Sequence, residues 1–161
     1  IVKKKNINFI CLLIGYKINT NNQKLMSEIK RLKISNNIKL LGQKNNISEV
    51  MNGLDIHILS SSYGEGFPNV VAEAMACGTP CIVTNVGDSA LVVGNNGWVV
   101  PPKNSIKLAR AIQNALNKKK SNNNWIRRCK DARSRIKHNF NISKIINLYN
   151  KYWLKVYKIK N

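Results

Sequence analysis

Residues 65–80 read Glu65-Gly-Phe-Pro-Asn-Val-Val-Ala-Glu73-Ala-Met-Ala-Cys-Gly-Thr-Pro80. The stretch sets two carboxylates around a glycine-led helix start. Gly66 lets the backbone approach a ligand closely, and Pro68 suits the first helical position, where its missing N–H would have had no partner. Amides at such a start lack intrahelical acceptors and point outward at the positive end of the helix dipole. Gly66, Phe67, Pro68, Asn69 and Val70 therefore form a candidate cradle for a phosphate or diphosphate. Glu73 falls about 7 to 8 Å further along the axis, its side chain leaning back toward the helix start, so that it flanks the anion rather than meeting it. A carboxylate there can accept from two neighbouring hydroxyls, as a ribose offers, while Glu65 reaches the other end of the same ligand. Diol, diphosphate and a second polar group describe a nucleotide sugar.

Taken singly, these pieces are common turn and cap chemistry, and both glutamates could be solvated side chains beside a punctuated loop. Their position argues otherwise. The motif follows Asp55-Ile-His-Ile-Leu-Ser60, a short apolar strand running into the polar segment Ser60-Ser-Ser-Tyr-Gly64. It thus sits at the carboxyl end of a strand, where open α/β sheets bind ligands.

Outward from the motif, strands and helices alternate. Asn8-Phe-Ile-Cys-Leu-Leu-Ile14 is a continuous apolar run closed by Gly15, the pattern of a strand buried on both faces. Residues 22–33 carry Leu25, Met26, Ile29 and Leu32 at helical spacing. A strand at 38–41, a polar loop at 43–46, a short helix at 47–52 and strands at 80–84 and 97–100 follow. Asn104 or Ser105 can cap a helix with Leu108, Ile112, Ala115 and Leu116 on one face. Residues 118–124 read as a solvated loop before helices at about 125–137 and 142–157. In the last of these, Ile142, Ile145, Ile146, Tyr149, Tyr152, Trp153 and Val156 form an apolar stripe whose simplest reading is core packing. The expected fold is α/β, a Rossmann-like parallel sheet with helices on both faces.

Composition bounds the partners. The 161 residues suffice for one well-cored domain, and 27 Lys and Arg against 7 Asp and Glu give a net charge of +20. A basic nucleic-acid or membrane-surface module is the alternative such a charge raises. Lysine, however, far outnumbers arginine and spreads along the chain beside many Asn and Ile, apart from runs at 3–5 and 118–120. That joint bias fits an AT-rich genome better than a binding surface, with attraction to anionic headgroups as the second explanation. Cys11, Cys77, Cys81 and Cys129 show neither a Cys-x-x-Cys pair nor a metal-ligand spacing with histidine, and read as small apolar residues of a reduced compartment. His57, between Ile56 and Ile58, reads as a strand position rather than a catalyst. With Asp only at 55, 88 and 131, no Asp-x-Asp pair stands ready for a divalent metal, and none is expected.

The stretch 65–80 resembles the signature of the family 4 retaining glycosyltransferases, in which two glutamates are separated by seven residues. The likeness continues through Thr84-Asn-Val-Gly-Asp-Ser-Ala-Leu91 and Asn96-Gly-Trp-Val-Val-Pro-Pro102. It implies the GT-B architecture, two Rossmann-like domains across a cleft, with this chain the C-terminal donor-binding half. On that resemblance residues 1–140 form an N-terminally truncated nucleotide-sugar domain, and residues 141–161 a helix that crosses to an N-terminal domain outside the sequence, which leaves part of its apolar stripe exposed. Glu65 is then the catalytic residue, binding hydroxyls of the donor sugar and stabilising the charged transition state. Glu73 holds the ribose, the amides of residues 66–70 hold the diphosphate, and Gly15 matches a strand-end glycine near the donor sugar. The 43–46 loop falls near the nucleobase. The family's second glycine after Gly15 is absent, as is an Arg-x-x-x-Lys-Gly element before Asn6. The implied partners are a nucleotide diphosphate-sugar donor, with no other cofactor, and an acceptor sugar or lipid-linked sugar. The implied activity is sugar transfer with retention in surface polysaccharide or glycoconjugate synthesis, in the cytoplasm, with a peripheral place at the inner face of the membrane as an option. An epimerase or phosphorylase of the same architecture is the enzyme alternative.

Overall fold

A computed structural model describes residue 2 and residues 8–160. The lysine run at 3–5 lies outside the described residues. The chain divides into two compact units, Ile1–Glu49 and Val50–Asn161.

In the first unit, β1 (Cys11–Ile14) pairs in parallel with β2 (Ile38–Gly42), with a register shift between Leu13 and Ile14. Helix α1 (Gln23–Arg31) connects them. Its start is set by Asn22, whose side-chain oxygen accepts from the Leu25 amide at 3.0 Å. Ile29 is its buried contact, and Lys30 and Arg31 lie in its last turn, where cations complement the helix dipole. The apolar run at 8–14 yields a shorter strand than its composition implies. Ile10 is exposed and β1 is half-buried throughout, because a two-stranded sheet cannot enclose both faces of a strand. The short α2 (Ile47–Asn52) ends in the second unit.

The second unit holds a three-stranded parallel sheet in the order β3 (His57–Leu59), β4 (Cys81–Thr84), β5 (Trp98–Val100). The central strand is buried at every position, as a strand covered on both faces must be. On one face, Ile82 packs with Val100 and with Ala111 and Ala115 of α5 (Ser105–Lys119), supported by Ile56, Trp98, Leu108 and Ile112. Side chains alternate along the strand, so Cys81 and Val83 face the other way. There the Cys81 thiol reaches the carbonyl of Val71 in α3 (Asn69–Ala76) at 3.8 Å. Val71, Ala74 and Met75 are the fully buried stripe of α3, and α6 (Asn122–Asn139) packs against it with Ala132 at 0 % exposure. The chain is therefore α/β, with parallel sheets throughout and, in this unit, helices on both faces.

Three local expectations are corrected. Residues 118–124 are not a loop: α5 runs to Lys119 and α6 starts at Asn122, leaving Lys120 and Ser121 as the break. Polar low complexity removes an apolar stripe but does not oppose helix, since lysine is a good helix former. Residues 89–96, unassigned from sequence, hold α4 (Ser89–Val93) and a 3-10 turn at Gly94–Asn96. The stripe on α7 (Ile142–Lys160) departs from simple core packing: Ile142, Tyr152 and Trp153 are each at least 65 % exposed. Among the described residues no helix is long and apolar enough to cross a membrane.

Candidate functional site

The loops following β3 and β4 emerge at the same sheet edge because the two strands are parallel, with Leu59 opposite Val83. Residues 60–68 leave the first and residues 85–88 the second. They are bound to each other by a chain of specific contacts. Thr84, buried at the end of β4, donates its hydroxyl to the Ser61 carbonyl at 2.7 Å. The Asp88 amide donates to the Gly66 carbonyl at 3.0 Å. Between them Gly87 adopts φ +53°, and a Cβ there would overlap the Glu65 carbonyl and stand 2.7 Å from the Gly66 oxygen. The left-handed conformation and the close approach both demand glycine at 87.

Glu65 is half-buried in this arrangement, and its carboxylate accepts a hydrogen bond from the Ser61 hydroxyl at 2.5 Å. Phe67 leans on Phe140 at the end of α6, ring centroids 5.6 Å apart, while Arg135 lies over the Phe140 ring. Arg135 also donates to the Val92 carbonyl at 2.8 Å, tying the end of α4 to α6. Phe67 thus anchors the loop by its side chain.

Pro68 is buried and is the residue that caps α3, not its first helical residue, with φ −79° and ψ 90°. Its carbonyl accepts from the Val71 amide at 3.0 Å and the Ala72 amide at 3.3 Å. The amides of Gly66, Phe67, Asn69 and Val70 meet no acceptor among the described residues. No side chain caps this helix start, and Asn69 and Val70 are exposed. Glu73 sits one turn further on, exposed on the same helix. Glu65, the amides of Gly66, Phe67, Asn69 and Val70, and Glu73 are thus carried by one segment of the second unit, the rim formed by the loop after β3 and the first turns of α3: a carboxylate bonded to Ser61, four amides without an acceptor among the described residues, and an exposed carboxylate. Such a rim can hold an anion through its amides and hydroxyl groups on either side.

Gly15 belongs to the first unit. It ends β1 with φ +147°, and its amide donates to the Gly42 carbonyl at 2.9 Å. His57 lies at the opposite end of β3 from the motif, and its Nε2 is buried without a partner among the described residues. Burial holds its pKa below the ordinary histidine value, so it stays neutral at pH 7. Burial likewise pushes the Cys81 thiol far above the ordinary cysteine range and raises Cys11 and Cys129. Among the described residues no three His, Cys, Asp or Glu side chains gather as a metal site. A separate cavity of about 330 Å³, lined by polar and basic residues including Asn95, Lys118, Arg127 and Arg128, shares none of the rim residues.

The residues that sequence reasoning left without a role are Ser61, Thr84 and Gly87. A usable signal existed for the last: a glycine three residues after the polar strand end Thr84, in the next loop.

Comparison with known proteins gives this geometry its class. The family model for glycosyl transferases group 1 matches residues 1–132, and the chain belongs to that family. It is 30 % identical over 127 residues to an N-acetyl-alpha-D-glucosaminyl L-malate synthase of Bacillus anthracis, an alignment covering 78 % of this chain and 32 % of the relative. It is 28 % identical over 127 residues to a UDP-Gal:alpha-D-GlcNAc-diphosphoundecaprenol alpha-1,3-galactosyltransferase of Escherichia coli, covering 74 % of this chain and 32 % of that protein. Among solved structures, the fold matches Anabaena Alr3699/HepE, crystallised with UDP, at a TM-score of 0.80 and 23 % identity, over 91 % of this chain and 41 % of the other. A glycosyltransferase of Rickettsia africae matches at a TM-score of 0.79 and 26 % identity, over 98 % of this chain and 41 % of that one. The chain spans about a third of the length of these curated relatives. The α/β architecture is thus that of the GT-B glycosyltransferases.

Proposed function

We propose that this chain is the donor-binding part of a retaining glycosyltransferase that moves a sugar from a nucleotide diphosphate-sugar to an acceptor hydroxyl. The observation that carries the reading is the rim at the sheet edge. The Glu65 carboxylate is bonded to Ser61 next to four amides that have no acceptor among the described residues, and Glu73 stands one turn along the helix that follows. Membership of the family, and relatives named as a galactosyltransferase and as a Vi polysaccharide biosynthesis protein, support the assignment.

On this reading the diphosphate lies against residues 66–70, where free N–H groups and the helix dipole offset its charge. Glu73 accepts from the two ribose hydroxyls. Glu65 accepts from hydroxyls of the donor sugar and stabilises the positive charge that develops at the anomeric carbon as the diphosphate leaves. The exposed aromatic stripe of α7 is the part of the chain available to a further, acceptor-side domain. Glycan synthesis on a lipid-linked acceptor would place the enzyme in the cytoplasm, peripheral to the membrane, where the net charge of +20 favours anionic headgroups.

The test has two arms. Calorimetry of residues 1–161 against UDP-, GDP- and ADP-sugars should show weak binding of at least one. Pooled-donor transfer assays should show no turnover by this chain, whereas the longer protein that contains it should transfer and lose activity with Glu65→Ala. Absence of any nucleotide-sugar binding by the folded chain would refute the assignment.

A further inference from the structure

Of the rim's two carboxylates, Glu65 is the one with a hydrogen-bond partner among the described residues, and that partner is itself fixed. The Ser61 hydroxyl donates to Glu65 Oε1 at 2.5 Å, and the Ser61 backbone is held by Thr84, whose hydroxyl donates to the Ser61 carbonyl at 2.7 Å. Thr84 is buried in the last position of the central strand, so the anchor belongs to the rigid sheet. The peptide carrying Glu65 is held from the other side by Gly87 and by the Asp88 amide on Gly66. Both the backbone and the side-chain end of Glu65 are therefore referenced to the β4 terminus. Ser60 and Ser62, on either side, are exposed and make no such bond.

We propose that Ser61 is a positioning residue for the donor sugar: it sets the rotamer of Glu65 so that the remaining carboxylate lone pairs face the sugar hydroxyls. The inference rests on the donor-site reading above. A serine hydroxyl has a single proton to donate, and spending it on Oε1 leaves Oε2 and one lone pair of Oε1 to accept from ligand hydroxyls. An unheld glutamate would have to give up the freedom of its side chain on each binding event. The effect falls on the sugar and not on the nucleotide, because Ser61 touches nothing else on the rim.

Titration calorimetry on this chain compares the nucleotide sugar bound best, from UDP-, GDP- and ADP-sugars, with its parent diphosphate. Ser61→Ala should bind the diphosphate as the wild type does, which also reports an intact fold, and should lose roughly tenfold in affinity for the nucleotide sugar, the worth of one hydrogen bond to a charged group. Ser61→Thr should restore the preference, and Ser62→Ala should leave it unchanged. In a Glu65→Ala background, which removes the acceptor of the Ser61 hydroxyl, Ser61→Ala should add little, since its effect runs through the carboxylate. A Ser61→Ala chain that keeps the wild-type preference overturns the proposal. So does an equal additional loss in the Glu65→Ala background. A wild type that binds the diphosphate but never prefers the sugar adduct removes the sugar role of Glu65 itself, and with it this inference. Wild type without any binding refutes the donor site as a whole.

Discussion

Replacing Gly66 by alanine should separate folding from ligand binding. A Cβ built at Gly66 meets no atom within 4 Å, and its φ lies outside the left-handed range. Nothing inside the protein therefore requires glycine at this position. Alanine there should be neutral or stabilise the fold by about 0.4 to 1 kcal/mol, by reducing the freedom of the unfolded chain. The cost should appear only when a ligand arrives. The open space beside Gly66 adjoins amides with no internal acceptor, at Gly66, Phe67, Asn69 and Val70. A methyl group would hold a diphosphate away from them. Loss of one hydrogen bond to a charged group corresponds to about 1.5 to 3 kcal/mol, or roughly 10- to 150-fold in affinity. Urea denaturation and calorimetric titration with nucleoside diphosphates, in one buffer, give both quantities. A Gly66→Ala protein that is as stable as wild type and binds equally well would show that the anion does not lie on this backbone.

Gly87→Ala should behave in the opposite way. Its φ of +53° alone costs an alanine about 1 to 2 kcal/mol, and the clash with the Glu65 carbonyl adds to this, so the urea midpoint should fall with binding. Glu73→Ala, at an exposed position, should leave stability within about 0.5 kcal/mol of wild type and weaken diphosphate binding by roughly 1 to 3 kcal/mol; unchanged affinity would remove the ribose assignment. His57 supplies a pH signature. Its folded pKa is depressed by burial, so the unfolded chain takes up the proton first and stability falls as pH drops below about 6.5, levelling off beneath the lower folded value. His57→Gln should flatten that part of the stability curve, and a persistent slope would assign it to another group.

How much of this was legible in the sequence depends on which physical constraint each element answers to. The strands of the second unit could be read because β4 is covered on both faces and must be apolar at every position. The motif could be read because it combines a glycine, a proline and two carboxylates at a helix start, each with its own chemical reason. The 3-residue β3 and β5 and the 5-residue α4 carry too little pattern to set their own limits; packing against β4 decides them. The α7 stripe has the periodicity of a core face and yet is exposed, since periodicity states that a face will be buried and not which partner covers it. The support of Glu65 was hidden for a further reason. Ser60, Ser61 and Ser62 are chemically equivalent in sequence, and only the turn taken after Leu59, with Thr84 holding one carbonyl from the next strand, determines which hydroxyl reaches the carboxylate. A residue that acts by positioning another owes its role here to a contact between a strand end and the neighbouring loop, and a run of like residues in that loop cannot disclose it.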